Sequence, residues 1–136
     1  MTQSLKAIPL GGLGGLGMNM MALECDGDII VIDAGVLFPE EDMLGVDLVI
    51  PDISYLKENR DKVRAILITH GHEDHTGALP YVLRDLNVPV YAPRLAQGLI
   101  EVKLREHSTL RGARLEVAEP GKPVQLGKFR VEWFRV

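Results

Sequence analysis

One six-residue stretch, His70 to His75, holds three of the four histidines in a chain of 136 residues. It sits in Thr69-His70-Gly71-His72-Glu73-Asp74-His75-Thr76-Gly77 and follows directly on the apolar run Ala65–Thr69. Such a run reads as a strand buried on both faces. The loop after a buried strand leaves a rigid sheet at a fixed position, so ligands mounted there keep their geometry. Imidazole nitrogens and carboxylate oxygens bind zinc and similar divalent ions. In an extended segment His70 and His72 point the same way, so they can share one metal. Asp74 and His75 follow where the chain turns into a helix, so they point elsewhere and are placed to serve a second ion. Gly71 lets the backbone pass close to the metals with no side chain in the way. Two neighbouring ions can hold a bridging water, lower its pKa and clamp the oxygens of a phosphate or a carbonyl. The plain alternative is a polar surface loop, but so few histidines rarely gather this tightly by chance.

The rest of the chain alternates strand-like and helix-like segments, an α/β (α+β) pattern with a β-rich first part. Leu5–Leu10 reads as an edge strand ahead of glycines. Met20–Glu24 and Asp28–Asp33 flank Asp26-Gly27, a hairpin turn pair. Ile29–Ile32 is four β-branched residues in a row, again the mark of a buried strand. Ser54–Lys62 reads as a short helix after Pro51-Asp52. Thr76–Leu86 reads as a helix with Leu79, Val82, Leu83 and Leu86 on one face, its start restricted by Pro80. Val88–Tyr91 is a short strand. Arg94–Glu106 is amphipathic, with Leu95, Leu99, Val102 and Glu106 marking its faces. Arg114 to Val136 reads as successive strands with turns at Pro120-Gly121 and Gly127-Lys128.

Length and composition fit one soluble domain. A single cysteine, Cys25, allows no intrachain disulfide and suits a reducing compartment. No stretch is apolar enough to span a membrane, and the N-terminus lacks the apolar core of a signal peptide. A cytoplasmic location is therefore expected. Residues 1–75 carry five Lys/Arg against thirteen Asp/Glu, while residues 76–136 carry ten against six. The acidic half, which includes Pro39 to Asp52, helps hold cations and repels a bare polyanion. A polyanionic substrate would need metal ions or basic surface from elsewhere.

Three further features have plainer readings. Gly12-Leu13-Gly14-Gly15-Leu16-Gly17 satisfies Gly-x-Gly-x-x-Gly with Asp33 beyond it, close to a dinucleotide-binding fingerprint. That motif needs a helix before the next strand, and only Met18–Cys25 is available, where a hairpin fits better. His107 ends the amphipathic helix, where an imidazole interacts well with the helix dipole. Cys25 is a small structural residue beside a turn, with no His partner near it in sequence.

The His-x-His-x-Asp-His loop resembles the signature of the metallo-β-lactamase superfamily. The opening PLGGLGGLGMNM, then VIDAGVLFPEEDMLGVDLVIPDISYL, ILITHGHEDHTGALPYVL and LIEVKLREH narrow the resemblance to the N-terminal part of the bacterial ribonuclease J family, in the β-CASP branch. The match covers essentially residues 1–136 in order. The resemblance implies an αββα sandwich with metals at one edge, of which 136 residues supply only the N-terminal half. It implies two zinc ions, Zn2+ held by His70 and His72 at one position and by Asp74 and His75 at the other. Asp33, in VIDAG, would orient a ligand histidine or the loop. Asp74 and His75 would be the catalytic residues. The activity implied is hydrolysis of RNA, as endonuclease and 5′-3′ exonuclease, by a complete enzyme that forms a homo-oligomer, dimer or tetramer. Gly15-Leu16 and Met18 replace a Glu-Ile pair and a Lys of the family's opening motif. The third histidine and the bridging carboxylate lie beyond a strand resembling VEWFRV, so the 136 residues alone are expected to show little activity. A thioester or lactam hydrolase on the same loop, or an inactive assembly domain, are the other readings.

Overall fold

A computed structural model of the chain describes residues 4–12, 17–38, 45 and 48–135. Six strands form one sheet in sequence order: β1 Leu5–Gly11, β2 Met20–Cys25, β3 Asp28–Ile32, β4 Val63–Leu67, β5 Val90–Ala92 and β6 Leu115–Val117. The first three are antiparallel neighbours, and β3 to β6 run parallel. Parallel neighbours need crossovers, and helices supply them. α1 Ser54–Glu58 lies between β3 and β4, α2 Glu73–Thr76 and α3 Leu79–Asp85 between β4 and β5, and α4 Arg94–Glu106 between β5 and β6. A hairpin, β7 Val124–Leu126 with β8 Phe129–Val131, forms a second small sheet.

The period-2 rule of strands explains how these layers stack. On β3 and β4, Ile29, Val31, Ile66 and Ile68 face a core shared with Leu56, Leu79, Val82, Ile100 and Leu104 of the helices. The alternate residues Ile30, Ala65 and Leu67 face Leu126, Val124 and Phe129 of the hairpin. The β-branched run of β3 is buried on both faces for this reason. Asp26 and Gly27 both take positive φ, 46° and 86°, as a two-residue type I′ hairpin requires. β1 is an edge strand, which is where Pro9 costs no ladder bond. No helix among the described residues is long and apolar enough to cross a membrane.

Several expected boundaries move. The Ser54–Lys62 helix ends at Glu58, and a 3-10 turn takes Arg60–Lys62. Asn59 leaves helical geometry at φ −116°, and its side-chain amide donates to the Tyr55 carbonyl instead. The Thr76–Leu86 helix is two pieces that break at Gly77-Ala78, one turn before Pro80, and the first piece begins earlier, at Glu73. The strand placed at Val88–Tyr91 runs from Val90 to Ala92. α4 has the expected span, and its faces sort as follows. Ala96, Ile100 and Leu104 point into the core, while Leu95, Leu99 and Val102 are at least half exposed. β2 is a strand paired to β3, so the glycine motif does not open a dinucleotide-binding βαβ unit. Residues 13–16 of that motif, and most of the acidic stretch from Pro39 to Asp52, lie outside the described residues. The turns at Pro120-Gly121 and Gly127-Lys128 are present, but Trp133 and Phe134 lie beyond the last strand.

One carboxylate joins the second sheet to the first. Asp28 accepts from Arg64 Nε at 2.6 Å and from the Lys128 backbone N–H at 2.9 Å. A Cβ at Gly127 would lie 2.3 Å from its carboxyl carbon, so the hairpin turn closes directly over Asp28. The hydrogen bond from Arg64 holds this carboxyl below the usual carboxylate range. A carboxylate with a lowered folded pKa stabilises the fold above its unfolded value and ceases to as pH falls through the folded one. Asp28→Asn is therefore expected to lower the urea midpoint at neutral pH, with the gap to the parent narrowing below about pH 4. A gap that stays constant down to about pH 3 would contradict this account.

Candidate metal centre

β3 and β4 are parallel neighbours with Ile32 opposite Leu67, so the residues after each emerge at the same edge of the sheet. Asp33 follows β3, and Thr69 and His70 follow β4. Asp33 is buried, and it takes φ 63°, a left-handed conformation that Asp tolerates better than most residues. Its backbone N–H donates to the Leu67 carbonyl at 2.8 Å. Its carboxylate accepts from the Thr69 backbone N–H at 2.8 Å and from the Thr69 hydroxyl at 2.8 Å. It also meets His75 Nδ1 at 2.7 Å.

These bonds set the tautomers of two imidazoles. A carboxylate only accepts, so Nδ1 of His75 carries a proton, and in the neutral ring the lone pair lies on Nε2, where the Asn19 amide stands 3.4 Å away. The Thr69 hydroxyl spends its one proton on Asp33. It therefore accepts from His70 Nδ1, 3.0 Å away, which puts the lone pair of the neutral His70 ring on Nε2 as well. One buried carboxylate thus orients both rings, one directly and one through Thr69.

The loop itself is sewn to the segment after β3. Ala34 N–H donates to the His75 carbonyl at 2.7 Å, Val36 N–H to Glu73 at 3.1 Å and Asn19 N–H to Asp74 at 3.0 Å. The Asn19 side-chain amide reaches the Asp74 carbonyl at 3.0 Å and lies 3.4 Å from His75 Nε2. A Cβ at Gly35 would fall 1.7 Å from the Asp74 carbonyl oxygen, so only glycine lets the two segments approach this closely. From the other side, Lys103 of α4 pairs with Glu73 at 2.5 Å.

The result brings His70, Asp74 and His75 together, with one ligand atom of each within 4.8 Å of the others. The rings of His70 and His75 are 4.0 Å apart at their centroids, and Asp74 Oδ2 is 3.5 Å from His75 Nε2. His72 stands outside this trio. Its backbone is extended, at φ −70° and ψ 149°, as the residue that opens α2. Its ring meets His70 edge-on at 4.8 Å. The spacing paired His70 with His72 and Asp74 with His75; the described geometry groups His70 with the later pair. The space beside Gly71 is taken by Ala96 and Leu99 of α4. His107 is remote: its Nδ1 donates to the Lys103 carbonyl at 3.0 Å, and its ring meets the Tyr81 ring. Cys25 is a free thiol, half-buried, at the end of β2.

Sequence reasoning left Asn19, Thr69 and Gly35 without a role. Each acts through backbone or tautomer geometry, for which residue type alone carries little signal. The small residues flanking Asp33, in Asp33-Ala34-Gly35, were the available hint of a close approach.

Residues 13–135 match the family model described as the Metallo-beta-lactamase superfamily. The chain is 46% identical over 136 residues to Ribonuclease J of Synechocystis sp., covering 98% of this chain and 21% of that protein. It is 42% identical over 134 residues to Ribonuclease J2 of Bacillus subtilis, covering 98% and 24%. It thus spans about a fifth to a quarter of the length of these curated relatives, matching their N-terminal part. Among solved structures, Zn(2+)-bound PqqB from Methylobacterium extorquens superposes with a TM-score of 0.65 at 11% identity, covering 99% of this chain and 56% of that one. Rm3 metallo-beta-lactamase superposes with a TM-score of 0.54 at 22% identity, covering 91% and 49%. At these identities the likeness is one of fold, a mixed α/β sheet with helices. That fold implies a divalent metal, and the residues present suit one: two oriented imidazoles whose Nε2 edges face the site and a carboxylate within reach of both.

Proposed function

Because the chain belongs to the metallo-beta-lactamase superfamily, we propose that it forms the metal-binding N-terminal portion of a ribonuclease J-like hydrolase of RNA phosphodiester bonds. The observation that carries this reading is the identity to ribonuclease J proteins. At 46% it runs over 98% of the chain, through both the Asp33 strand and the histidine loop. His70, Asp74 and His75 would hold a divalent ion, and zinc suits a nitrogen-rich donor set with one carboxylate. His72, whose ring meets that of His70 at 4.8 Å, would help to hold a second zinc. The metal would supply Lewis-acid chemistry, neutralising phosphoryl charge and acidifying a water. The chain's own residues do the positioning. Asp33 fixes the ring orientation of His75 directly and of His70 through Thr69, so that the Nε2 edge of each faces the site, and Asn19 holds the Asp74 backbone in place. Endonucleolytic and 5′-3′ exonucleolytic cutting, a cytoplasmic location and assembly as a dimer or tetramer belong to the same proposal for the complete protein.

A thioester or lactam hydrolase has only fold likeness behind it, at 22% identity or less. The test is a chimera in which this chain replaces the matching N-terminal segment of Synechocystis ribonuclease J. The chimera is expected to cleave a labelled single-stranded RNA with divalent metal and to stop when the metal is chelated. Metal-independent cleavage, or a folded chimera that binds metal and leaves RNA intact, would sink the proposal. Calorimetry of zinc into the 136-residue chain separates the inactive-domain reading, which expects no tight site.

A further inference from the structure

α4 touches the histidine loop at two points. A Cβ at Gly71 would lie 2.7 Å from Leu99 Cδ1 and 3.4 Å from Ala96 Cα, so the loop backbone rests on the helix there. Two residues further on, Glu73 Oε1 pairs with Lys103 Nζ at 2.5 Å. The two spacings match. Leu99 and Lys103 are four apart, so they share one side of the helix and are about 6 Å apart along its axis. Gly71 and Glu73 flank the extended His72, a span of roughly 6–7 Å of chain. The alternate residues His70 and His72 keep their rings together, 4.8 Å apart.

Glu73 is the odd member of this loop. It is a carboxylate next in sequence to Asp74, and carboxylates bind divalent ions as imidazoles do. Yet it is not part of the group formed by His70, Asp74 and His75. Two contacts hold it elsewhere. Lys103 takes Oε1, and Oε2 lies over Gly77, where a Cβ would stand 2.6 Å from it. The side chain is thus folded back over its own helix and fastened to α4. A carboxylate that opens α2 also suits the helix dipole, but Asp74 serves that role as well, and neither needs Lys103 for it. As a plain surface ion pair the contact would add little to stability. The Lys103 side chain is only 25% exposed, and what the pair decides is where the Glu73 carboxylate goes.

We propose that Lys103 is a positioning residue of the metal centre: by holding Glu73 against α4 it keeps a second carboxylate out of the donor set, and so keeps that set selective for zinc over manganese. The proposal rests on the metal-centre reading above. Imidazole suits zinc, whereas added carboxylate oxygens favour manganese. Releasing Glu73 changes the donors offered without touching the side-chain bonds from Asn19, Asp33 and Thr69 that orient the others.

The test is a pair of affinities, zinc and manganese, measured by competition with a chelating dye in the Synechocystis chimera and its variants. Lys103→Met keeps the aliphatic stem and removes the charge. It is expected to narrow the preference for zinc about tenfold, as losing a partner of the metal site commonly does to affinity. Adding Glu73→Gln to Lys103→Met should restore the parent ratio, because the freed group is then no carboxylate. Lys103→Arg should match the parent. Lys103→Ala, with a strong helix former, should repeat the shift, and urea midpoints check that each variant is folded. A loop that has merely been loosened loses both metals together, so the ratio separates positioning from support. An unaltered ratio in Lys103→Met and Lys103→Ala overturns the proposal, whether both affinities fall or neither does. A narrowed ratio that persists in the double variant overturns it too. A parent chimera that binds neither ion overturns the metal-centre reading and this proposal together. One that binds both and spares RNA overturns only the hydrolase reading, and the ratio still decides the role of Lys103.

Discussion

Replacing His75 with alanine in the ribonuclease chimera is expected to lower RNA cleavage by roughly a thousandfold or more, with no loss of fold. The magnitude follows from what metal chemistry supplies: several kcal/mol of charge stabilisation, and about 1.4 kcal/mol per factor of ten in rate. His75 is half-buried rather than core, so its ring is removed without opening a large cavity. Asp33 offers a graded comparison. Its carboxylate touches His75 and Thr69, and removing an orienting group of this kind typically costs roughly 10–100-fold in metal affinity. Asp33→Ala should therefore show weaker zinc binding by calorimetry and partial recovery of cleavage at high metal concentration, whereas His75→Ala should not recover. Equal rescue of both variants would mean that His75 is not a ligand. Full activity in His75→Ala would remove the assignment of the site.

The second large effect is one of backbone. Gly35→Ala places a methyl group 1.7 Å from the Asp74 carbonyl oxygen. No rotamer relieves that contact, since both partners are fixed to main chain. Either the segment 34–36 or the histidine loop must move, which breaks the bonds from Ala34, Val36 and Asn19 to residues 73–75. Overpacking ordinarily costs about 1–3 kcal/mol, and the lost backbone bonds add to that, so about 3 kcal/mol or more is expected from urea unfolding. Metal affinity should fall with it. A Gly35→Ala variant with unchanged midpoint and unchanged zinc affinity would show that the two segments are not held this tightly.

Much of the fold was legible because strands and turns announce themselves locally. The run Ile29–Ile32 could only be a doubly buried strand, and Asp26-Gly27 could only be a tight turn between two strands. α4 shows where that legibility stops. Its span followed from periodicity, but Leu95, Leu99 and Val102 compete with Ala96, Ile100 and Leu104 as an apolar stripe. Two stripes of similar apolarity leave the choice to tertiary packing, and the one that won joins the core shared with β3, β4 and α3. The histidine loop was legible as a cluster, since spacing and residue type carry the chemistry. Which bonds hold the loop in place was not, because those depend on where α2 begins and on parallel strands placing Asp33 beside Thr69. Neither contact is local in sequence: Asp33 and His75 are separated by 42 positions.

The side-chain bonds that orient His70, Asp74 and His75 come from Asn19, Asp33 and Thr69, all N-terminal to the groups they hold. A cleft beyond the carboxyl ends of β5 and β6, by contrast, is built almost wholly from residues 93–135, with Thr69 as the one member common to both. The residues that aim the imidazoles and the residues that form the face beyond β5 and β6 thus come from separate stretches of polypeptide that share a single hydroxyl-bearing side chain. Substitutions in the later stretch can therefore reshape that face without disturbing the hydrogen bonds that orient His70, Asp74 and His75.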